Sequence, residues 1–495
     1  MATFEEYIQA GSERRQEEFL DYLKNKAGFK RKQTAGSYFG YLKHPVFTDF
    51  LRSHYNLSEI YECTDLQRLK EMTAVCKKAD FNTDPKIHYG YSAAMKKYTE
   101  FIESMTKIDD TNSSQMTNSA KEPETKPKPR SGFSIWKLIT YIGSTGLLYS
   151  DLLIKRVAFS LLSKRFLILS GLAGSGKTQL AIAFAEAFIE KDSQLRVVAV
   201  GADWTNREPL LGFPNALEKG DYVKPESGVL DLLIEANKPE NKNKPYFLIL
   251  DEMNMSYVER YFADFLSAME SHREIPLWDK DGNVPKTVKL SDNVFIIGTI
   301  NVDETTYMFS PKVLDRANVI EFQISPDEME KFLTDMKPVD RDSVRGKAKD
   351  MAEEFVELAR KKDLTKSEPA KKALGEFFEI LKKINAEFGY RTATEIYRFI
   401  SQAETLDDTY DKMSEDDILD CAIVQKLLPK LHGSRKKLND VLTELWKVCF
   451  TNAEDKEAPI SDDKIKAARF KLAADKICRM HKAAEANGFA SFAEA

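Results

Sequence analysis

Residues 171–178 carry glycines, a lysine and a threonine at the spacing of a phosphate-binding loop, in the order Gly171, Leu172, Ala173, Gly174, Ser175, Gly176, Lys177, Thr178. The glycines let successive backbone N–H groups converge on phosphate oxygens. Lys177 supplies a fixed positive charge, and the hydroxyl of Thr178 is a ligand for Mg²⁺. An apolar run precedes the loop and an alanine-rich run follows it, which predicts a strand, a loop and a helix. We therefore predict that these residues, together with Gln179, bind a nucleotide.

Two more apolar runs end in polar side chains of complementary chemistry. The first is typical of a central parallel strand and ends at Asp251 and Glu252. Asp251 can hold Mg²⁺ together with Thr178, and Glu252 can polarise an attacking water. The second run ends at Asn301, whose neutral amide can orient water near a terminal phosphate. These residues predict hydrolysis of ATP or GTP, with Mg²⁺ as the cofactor.

Arg316 follows Leu314 and Asp315 and comes just before a fourth short apolar run. In this order the residues resemble those of the AAA+ ATPases. The resemblance implies that Asn301 is the sensor 1 residue. It also implies that Arg316 is the arginine finger, which reaches into the neighbouring subunit's site and stabilises charge there. The alternative for Arg316 is a surface ion pair with Asp315 or Glu321.

Arg391 is a further basic residue to which the resemblance gives a role. It implies that Arg391 is the sensor 2 residue, which contacts the terminal phosphate from within the same subunit. Arg398 lies seven residues further on, so both arginines occupy one face of a helix. The alternative is that the two side chains only solvate that face.

The resemblance narrows to the McrB-like branch of the AAA+ proteins, the NTP-hydrolysing motors of modification-dependent restriction systems. It covers about residues 160–440 and is carried by the segments 202–212, 251–254, 261–266, 388–391 and 425–433. Residues 300–306 depart from the Met-Asn-Thr-Ala-Asp-Arg-Ser of the best-known McrB GTPase. The choice between ATP and GTP therefore stays open.

The sequence contains no GxSxG or HExxH segment and no recognisable nuclease constellation, so any DNA cleavage would reside on a partner chain. The leading hypothesis is a homo-oligomer, a hexameric ring that couples hydrolysis to DNA translocation or to activation of a McrC-like nuclease subunit in anti-phage defence. One alternative is a MoxR-like ATPase that remodels proteins. The other is a recognition or scaffold subunit in which nucleotide binding matters and hydrolysis does not.

Composition and periodicity divide the chain into segments. We predict a small, mostly helical N-terminal domain at 1–108, a disordered linker at 109–132, an α/β AAA+ P-loop core with a parallel sheet at 133–325, a helical lid at 326–450 and a C-terminal helical extension at 451–495. The linker is polar and rich in proline, so it cannot bury enough apolar surface to order itself. By analogy with the restriction family, the N-terminal domain is a possible target-recognition module.

Two shorter stretches carry further expectations. Residues 275–284 predict a hairpin with its turn at Asp281 and Gly282. Trp278 and Lys280 in that hairpin could touch a substrate strand, or the hairpin could be purely structural. Residues 135–153 are apolar but are interrupted by charges and glycines, and we expect them to form a packed helix.

The 495-residue chain has a formal net charge of −5. This balance gives no overall nucleic-acid signature, so any DNA contact must come from a local patch or a central pore. Five scattered cysteines predict reduced thiols and no zinc site. The chain starts without a signal segment, and no apolar stretch reaches the roughly 18–20 residues that a membrane helix needs. We therefore expect a cytoplasmic protein with no membrane partner.

Overall fold

The computed structural model describes residues 132–493 except 218–220, 281, 303–308, 335, 337 and 410–411, and in the N-terminal region residues 42, 51, 60, 66–76 and 94–102. The chain divides into two compact units, Met1–Pro127 and Lys128–Ala495. In the first unit, α1 (Leu66–Cys76) and residues 94–102 are helical. Apart from residues 42, 51 and 60, the remainder of the predicted N-terminal domain lies outside the described residues, and so does nearly all of the predicted linker.

A five-stranded parallel sheet forms the centre of the second unit. The strands described in this unit are β1 (Phe166–Gly171), β2 (Leu195–Ala199), β3 (Phe213–Pro214), β4 (Tyr222–Val223), β5 (Tyr246–Asp251), β6 (Ile275–Pro276), β7 (Thr287–Val288), β8 (Val294–Asn301), β9 (Asn318–Phe322), β10 (His432–Ser434) and β11 (Phe489–Ser491). The central sheet has the order β2-β5-β8-β1-β9, and all its neighbours are parallel. The predicted α/β fold with a parallel sheet is confirmed.

Helices surround this sheet and make up most of the C-terminal region. Those described in the second unit are α2 (Ile135–Gly143), α3 (Asp151–Ser163), α4 (Lys177–Phe188), α5 (Glu208–Leu211), α6 (Val229–Ala236), α7 (Val258–Tyr261), α8 (Ala263–Ser271), α9 (Pro311–Leu314), α10 (Pro326–Thr334), α11 (Ala352–Arg360), α12 (Glu368–Lys382), α13 (Tyr390–Leu406), α14 (Glu415–Lys426), α15 (Arg435–Val448), α16 (Ala453–Lys456), α17 (Asp462–Ile465) and α18 (Lys471–Asn487). None of the described helices is both long and apolar enough to cross a membrane.

The stretch expected to form one packed helix at 135–153 is two helices, so that expectation is wrong. Helix α2 ends at Gly143, and Gly146 adopts a left-handed conformation with φ of 78°. Helix α3 starts after Ser150, whose hydroxyl accepts a hydrogen bond from the backbone N–H of Leu153. The turn between them carries Tyr149 to the loop after β1, where its hydroxyl donates to the carbonyl of Gly176.

Helix α11 packs directly on the central sheet, although it lies in the predicted lid. Phe355 stacks on Phe188 of α4 with ring centroids 4.7 Å apart and contacts Phe295 of β8 at 4.9 Å. All three rings are fully buried. This aromatic cluster joins the start of the C-terminal region to the core through the hydrophobic effect.

The C-terminal segment is tied to both the core and the helices that precede it. Strand β11 pairs antiparallel with β10. Glu321 of β9 accepts a hydrogen bond from Lys476 at 2.8 Å and forms an ion pair with Arg479 at 2.9 Å, both on α18. Burial alone would raise the pKa of Glu321, but the two basic side chains hold it below its ordinary value. The predicted boundary at residue 450 stays a prediction.

The segment predicted to form a hairpin, 275–284, supplies one of two paired strands, and the partner strand β7 lies just beyond it. Ile275 of β6 pairs with Val288 of β7 in an antiparallel ladder. Trp278 packs edge-on against Tyr222 of β4 at 5.9 Å, a contact that fits the structural alternative. Asp281, in the predicted turn, lies outside the described residues.

A buried carboxyl group, that of Asp420, lies at the N-terminus of α18. Asp420 of α14 accepts hydrogen bonds from the backbone N–H groups of Leu472 and Ala473, at 2.7 and 2.9 Å. Burial raises the pKa of Asp420 to about 7 from its ordinary 3.8, against the lowering effect of those two donors. Between pH 3.8 and about 7, Asp420 therefore stays protonated in the folded state but loses its proton in the unfolded chain. We predict that the free energy of unfolding falls as pH rises through this range.

Denaturant unfolding at a series of pH values checks this prediction. The Asp420→Asn variant should lose this contribution to the slope, because the amide does not titrate. Asp440→Asn, which alters an exposed carboxylate on α15, is the matched control and should keep the wild-type slope. Equal slopes for the Asp420→Asn variant and the wild type would contradict the prediction.

Candidate functional site

The loop between β1 and α4 has the backbone conformation that its glycines permit. Gly174 and Gly176 have φ of 73° and 91°, in the region that residues with a side chain rarely adopt. A Cβ atom on Gly176 would lie 3.0 Å from the hydroxyl of Tyr149. Helix α4 starts immediately afterwards at Lys177, so its unpaired N-terminal N–H groups and its dipole face the loop. Such an arrangement binds anions.

Lys177 is buried and folds back over the loop. Its ammonium group donates to the carbonyls of Gly171 and Leu172 at 2.9 and 2.6 Å, and to the hydroxyl of Ser175 at 3.3 Å. The side chain is only 4% exposed. A positive charge is therefore held inside the loop at the place where the sequence predicts phosphate groups.

One carboxylate joins the loop to the strands beside it. Asp251, at the end of β5, accepts a hydrogen bond from the hydroxyl of Thr178 at 2.6 Å. The same oxygen accepts a second bond from Thr299 of β8, also at 2.6 Å. The structure thus brings the two residues that the sequence predicts as metal ligands, Thr178 and Asp251, into direct contact.

Glu252 and Asn301 are also brought together. The amide of Asn301 donates to the carboxylate of Glu252 at 3.1 Å. Glu252 has a left-handed backbone with φ of 52°, and its N–H donates to the hydroxyl of Thr299 at 3.0 Å. A left-handed conformation is uncommon for a residue with a side chain and is costly unless its surroundings hold it. The surroundings here do so, which fixes the direction of the Glu252 carboxylate.

Sheet topology explains why residues so far apart in the chain meet. Strand β8 lies between β1 and β5, and Asn301 pairs with Gly171 in the parallel register. The carboxyl ends of all three strands therefore reach the same edge of the sheet, where the loop starts. Lys177, Thr178, Asp251, Glu252 and Asn301 form one cluster there, which we call the loop-edge site.

Sequence reasoning missed two residues of the loop-edge site. Thr299 is buried, and its hydroxyl contacts both Asp251 and the backbone of Glu252. A signal existed, because it is a polar side chain within an apolar strand, two positions before Asn301 and hence on the same face. Tyr149 donates to the carbonyl of Gly176 at 2.8 Å, and burial raises the pKa of its hydroxyl. No local sequence signal indicates that contact.

Arg316 lies at the opposite edge of the sheet. It precedes β9, whose first residue pairs with the start of β1, whereas the loop follows the end of β1. Its guanidinium group forms an ion pair with Glu270 at 2.7 Å and donates to the carbonyls of Leu266 and Lys312, at 3.1 and 2.6 Å. The ion pair considered from the sequence, with Asp315 or Glu321, is not the one observed.

Arg391 shares the carboxylate of Glu270 with Arg316 and does not lie at the loop-edge site. It forms ion pairs with Glu270 and with Asp315, the latter at 2.6 Å. Burial would raise the pKa of Asp315, but Lys430 and Arg391 hold it below its ordinary value. Helix α13 lies beside the amino ends of the strands. This placement gives no support to the expected contact of Arg391 with a nucleotide in its own subunit, which stays a prediction.

Comparison with known proteins gives limited matches. The sequence profile of a domain of unknown function, DUF8727, matches residues 339–489, a region that lies within the predicted lid and C-terminal extension. No curated protein matches the chain.

Two solved structures are similar over more than half of the chain. A crystal structure of a Cytophaga hutchinsonii protein, provisionally described as an ATPase, is 17% identical with a TM-score of 0.40, and the match covers 59% of this chain and 86% of that one. The closed state of Hsp104 with ATPγS and FITC casein is 16% identical with a TM-score of 0.29, covering 61% of this chain and 50% of that one. These similarities are low, and the fold assignment rests on the sheet itself.

Proposed function

We propose that the chain is a Mg²⁺-dependent nucleoside triphosphatase of the AAA+ type, with ATP or GTP as its substrate. The observation that carries the proposal is the hydrogen bond from Thr178 to Asp251. It joins the glycine loop after β1 to the carboxylate at the end of β5. The hydroxyl of Thr178 and the carboxylate of Asp251 are oxygen ligands of the kind that Mg²⁺ prefers. Glu252 and Asn301 lie beside this pair.

Each residue of the loop-edge site has a role that its contacts support. The loop N–H groups and Lys177 would hold the phosphates and offset their charge. Thr178 and Asp251 would hold the Mg²⁺, which when bound neutralises charge on the phosphate oxygens. Glu252 would accept a proton from the attacking water, and Asn301 would orient both Glu252 and the terminal phosphate. Thr299 and Tyr149 act as positioning residues for this set.

We infer that Arg316 acts on a neighbouring subunit, in a homo-oligomeric ring that we propose to be a hexamer. Its side chain lies at the edge of the sheet away from its own loop, so it is poorly placed to serve that loop. Arginine suits a role between subunits because it stays charged and can donate two parallel hydrogen bonds to phosphate oxygens. The carbonyls and the Glu270 carboxylate that hold it would keep it oriented before a neighbour docks.

The finer proposal is that this triphosphatase is the motor of a McrBC-like defence system, acting on DNA through a McrC-like nuclease partner. It is supported by the local resemblance of residues 202–212, 251–254, 261–266, 388–391 and 425–433 to McrB-like proteins. A MoxR-like protein-remodelling role would use the same loop-edge site. The two differ in what stimulates hydrolysis.

Replacing Glu252 with glutamine should abolish turnover but leave nucleotide binding intact. The amide keeps the shape of the side chain but cannot accept a proton, and such a base is worth roughly 100-fold or more in rate. Phosphate release measures turnover, and a fluorescent nucleotide measures binding. Glu240→Gln, at an exposed carboxylate before β5, is the control and should behave as the wild type. Unchanged phosphate release in the Glu252→Gln variant would refute the assignment.

Mixing two inactive variants tests whether Arg316 acts between subunits. Arg316→Ala alone should bind nucleotide and fail to hydrolyse it. In a mixture of the two variants, an Arg316→Ala subunit keeps an intact loop-edge site. Its Glu252→Gln neighbour supplies Arg316 to that site, so part of the activity should return. A mixture as inactive as its components would show that Arg316 does not act in this way.

Double-stranded DNA should increase phosphate release if the chain is a McrB-like motor. The assay compares ATP with GTP, each with and without DNA, at one fixed low salt concentration, because DNA contacts weaken steeply with salt. Stimulation by a protein substrate together with indifference to DNA would favour the protein-remodelling role instead.

A further inference from the structure

A cleft of about 590 Å³ lies at the edge of the sheet away from the phosphate loop. Its floor is the start of β1 and of β8, at Phe166 and Val294. Its walls are the ends of α3, α8 and α11 and the first turns of α13. We call this space the basic cleft, because eight lysine and arginine side chains line it, namely Lys164, Arg165, Arg273, Lys289, Arg360, Lys362, Arg391 and Arg398.

Among the residues that the structure describes, three carboxylates line the basic cleft, and each forms at least one ion pair. The pairs are Glu270 with Arg391 and Arg316, Asp292 with Arg165, and Glu395 with Lys164 and Lys426. The other five cationic side chains form no ion pair with any residue that the structure describes. The cleft therefore holds a clear excess of positive charge, in a chain whose net charge is −5.

Helix ends explain some of these cations but not all of them. Lys164, Arg273 and Arg360 lie at or next to the C-termini of helices, where a positive charge is favoured by the helix dipole. Lys289 lies in the loop before β8, and Arg398 lies in the middle of α13. Neither position has a helix end to account for its charge.

Two arginines in the cleft also present donors without acceptors. The Nε–H groups of Arg391 and Arg398 are buried, and neither has a hydrogen-bond partner in the part of the chain that the structure describes. Nη2 of Arg398 is fixed by the carbonyls of Ala359 and Lys361, at 3.1 and 2.9 Å. Buried donors normally have partners, so these two groups point to an acceptor outside the residues that the structure describes.

The charge of Arg398 is only partly compensated, by the neighbouring carboxylate of Glu395. Burial and the neighbouring charge of Arg165 both lower its pKa. A guanidinium group nevertheless remains protonated in proteins, so the unfavourable interaction persists while the cleft holds no anion. A bound anion would relieve it.

We propose that the basic cleft is a second anion site, separate from the phosphate loop, and that it binds a phosphate-bearing small molecule of nucleotide size. Its volume is in the range of small-molecule sites, and guanidinium and ammonium groups match phosphate oxygens. Among the described residues that line it, Phe166 and His272 are the ones with an aromatic ring. The phosphate groups, and not a stacked base, are thus what the cleft recognises.

Calorimetric titration with inorganic tripolyphosphate tests the proposal in the full chain. The background variant is Lys177→Ala, which disables the phosphate loop so that binding there does not contribute. We expect this variant to bind tripolyphosphate. Adding Lys289→Glu and Lys362→Glu, at two exposed side chains of the cleft, should weaken binding about tenfold or more because charge-assisted hydrogen bonds are lost.

The matched control adds Lys371→Glu and Lys372→Glu instead, at exposed positions of α12 outside the cleft, with the same change in charge. This control should keep the affinity of the background variant. No binding to the background variant, or an equal loss in the control, would overturn the proposal. A short DNA duplex that binds through Lys289 and Lys362 while tripolyphosphate does not would also overturn it, in favour of nucleic acid. Every variant in this comparison lacks a working phosphate loop, so the result does not depend on the proposed hydrolysis.

Discussion

The arrangement of the loop-edge site depends on one carboxylate, that of Asp251. A single oxygen of this group accepts hydrogen bonds from Thr178, in the first turn of α4, and from Thr299, near the end of β8. It therefore fixes the loop, the end of β5 and the end of β8 relative to one another. Such hydrogen bonds to a charged acceptor are among the stronger ones in proteins. Thr299 extends the same network to Glu252, so one local interaction orients several side chains at once.

A parallel sheet separates two kinds of chemistry by geometry. All strands run the same way, so their carboxyl ends gather at the loop and their amino ends gather at the opposite edge. The oxygen ligands that we propose for Mg²⁺, Thr178 and Asp251, lie at the first edge. Arginines and lysines collect at the second, where Glu270 binds both Arg316 and Arg391. A ring would place the second edge of one subunit against the first edge of the next, which is how we interpret Arg316.

The C-terminal region determines what surrounds the second edge. Phe355 anchors α11 to the core, and the ion pairs of Glu321 anchor α18 to β9. Helix α13 is consequently held beside the starts of β1 and β8, where Arg391 and Arg398 line the basic cleft. The match of an uncharacterised domain profile covers this same region. The packing of this C-terminal region thus gives the second edge of the sheet its basic cleft.

The sequence by itself determined the central strands β1, β5 and β8, the loop after β1 and the first group of site residues. Apolar runs, glycine spacing and the polar residue that ends each run are local signals, so β1, β5 and β8 and the positions of Lys177, Asp251, Glu252 and Asn301 could be predicted without a structure. The tertiary structure decided three other matters. Thr299 and Tyr149 joined the loop-edge site because strand register and the turn before α3 carry them there. Arg391 lies away from the loop-edge site because α13 packs at the opposite edge of the sheet. Helical spacing shows which face of a helix a residue occupies, but not which element packs against that face. The basic cleft likewise exists only where five separate segments converge, and no spacing along the chain records that convergence.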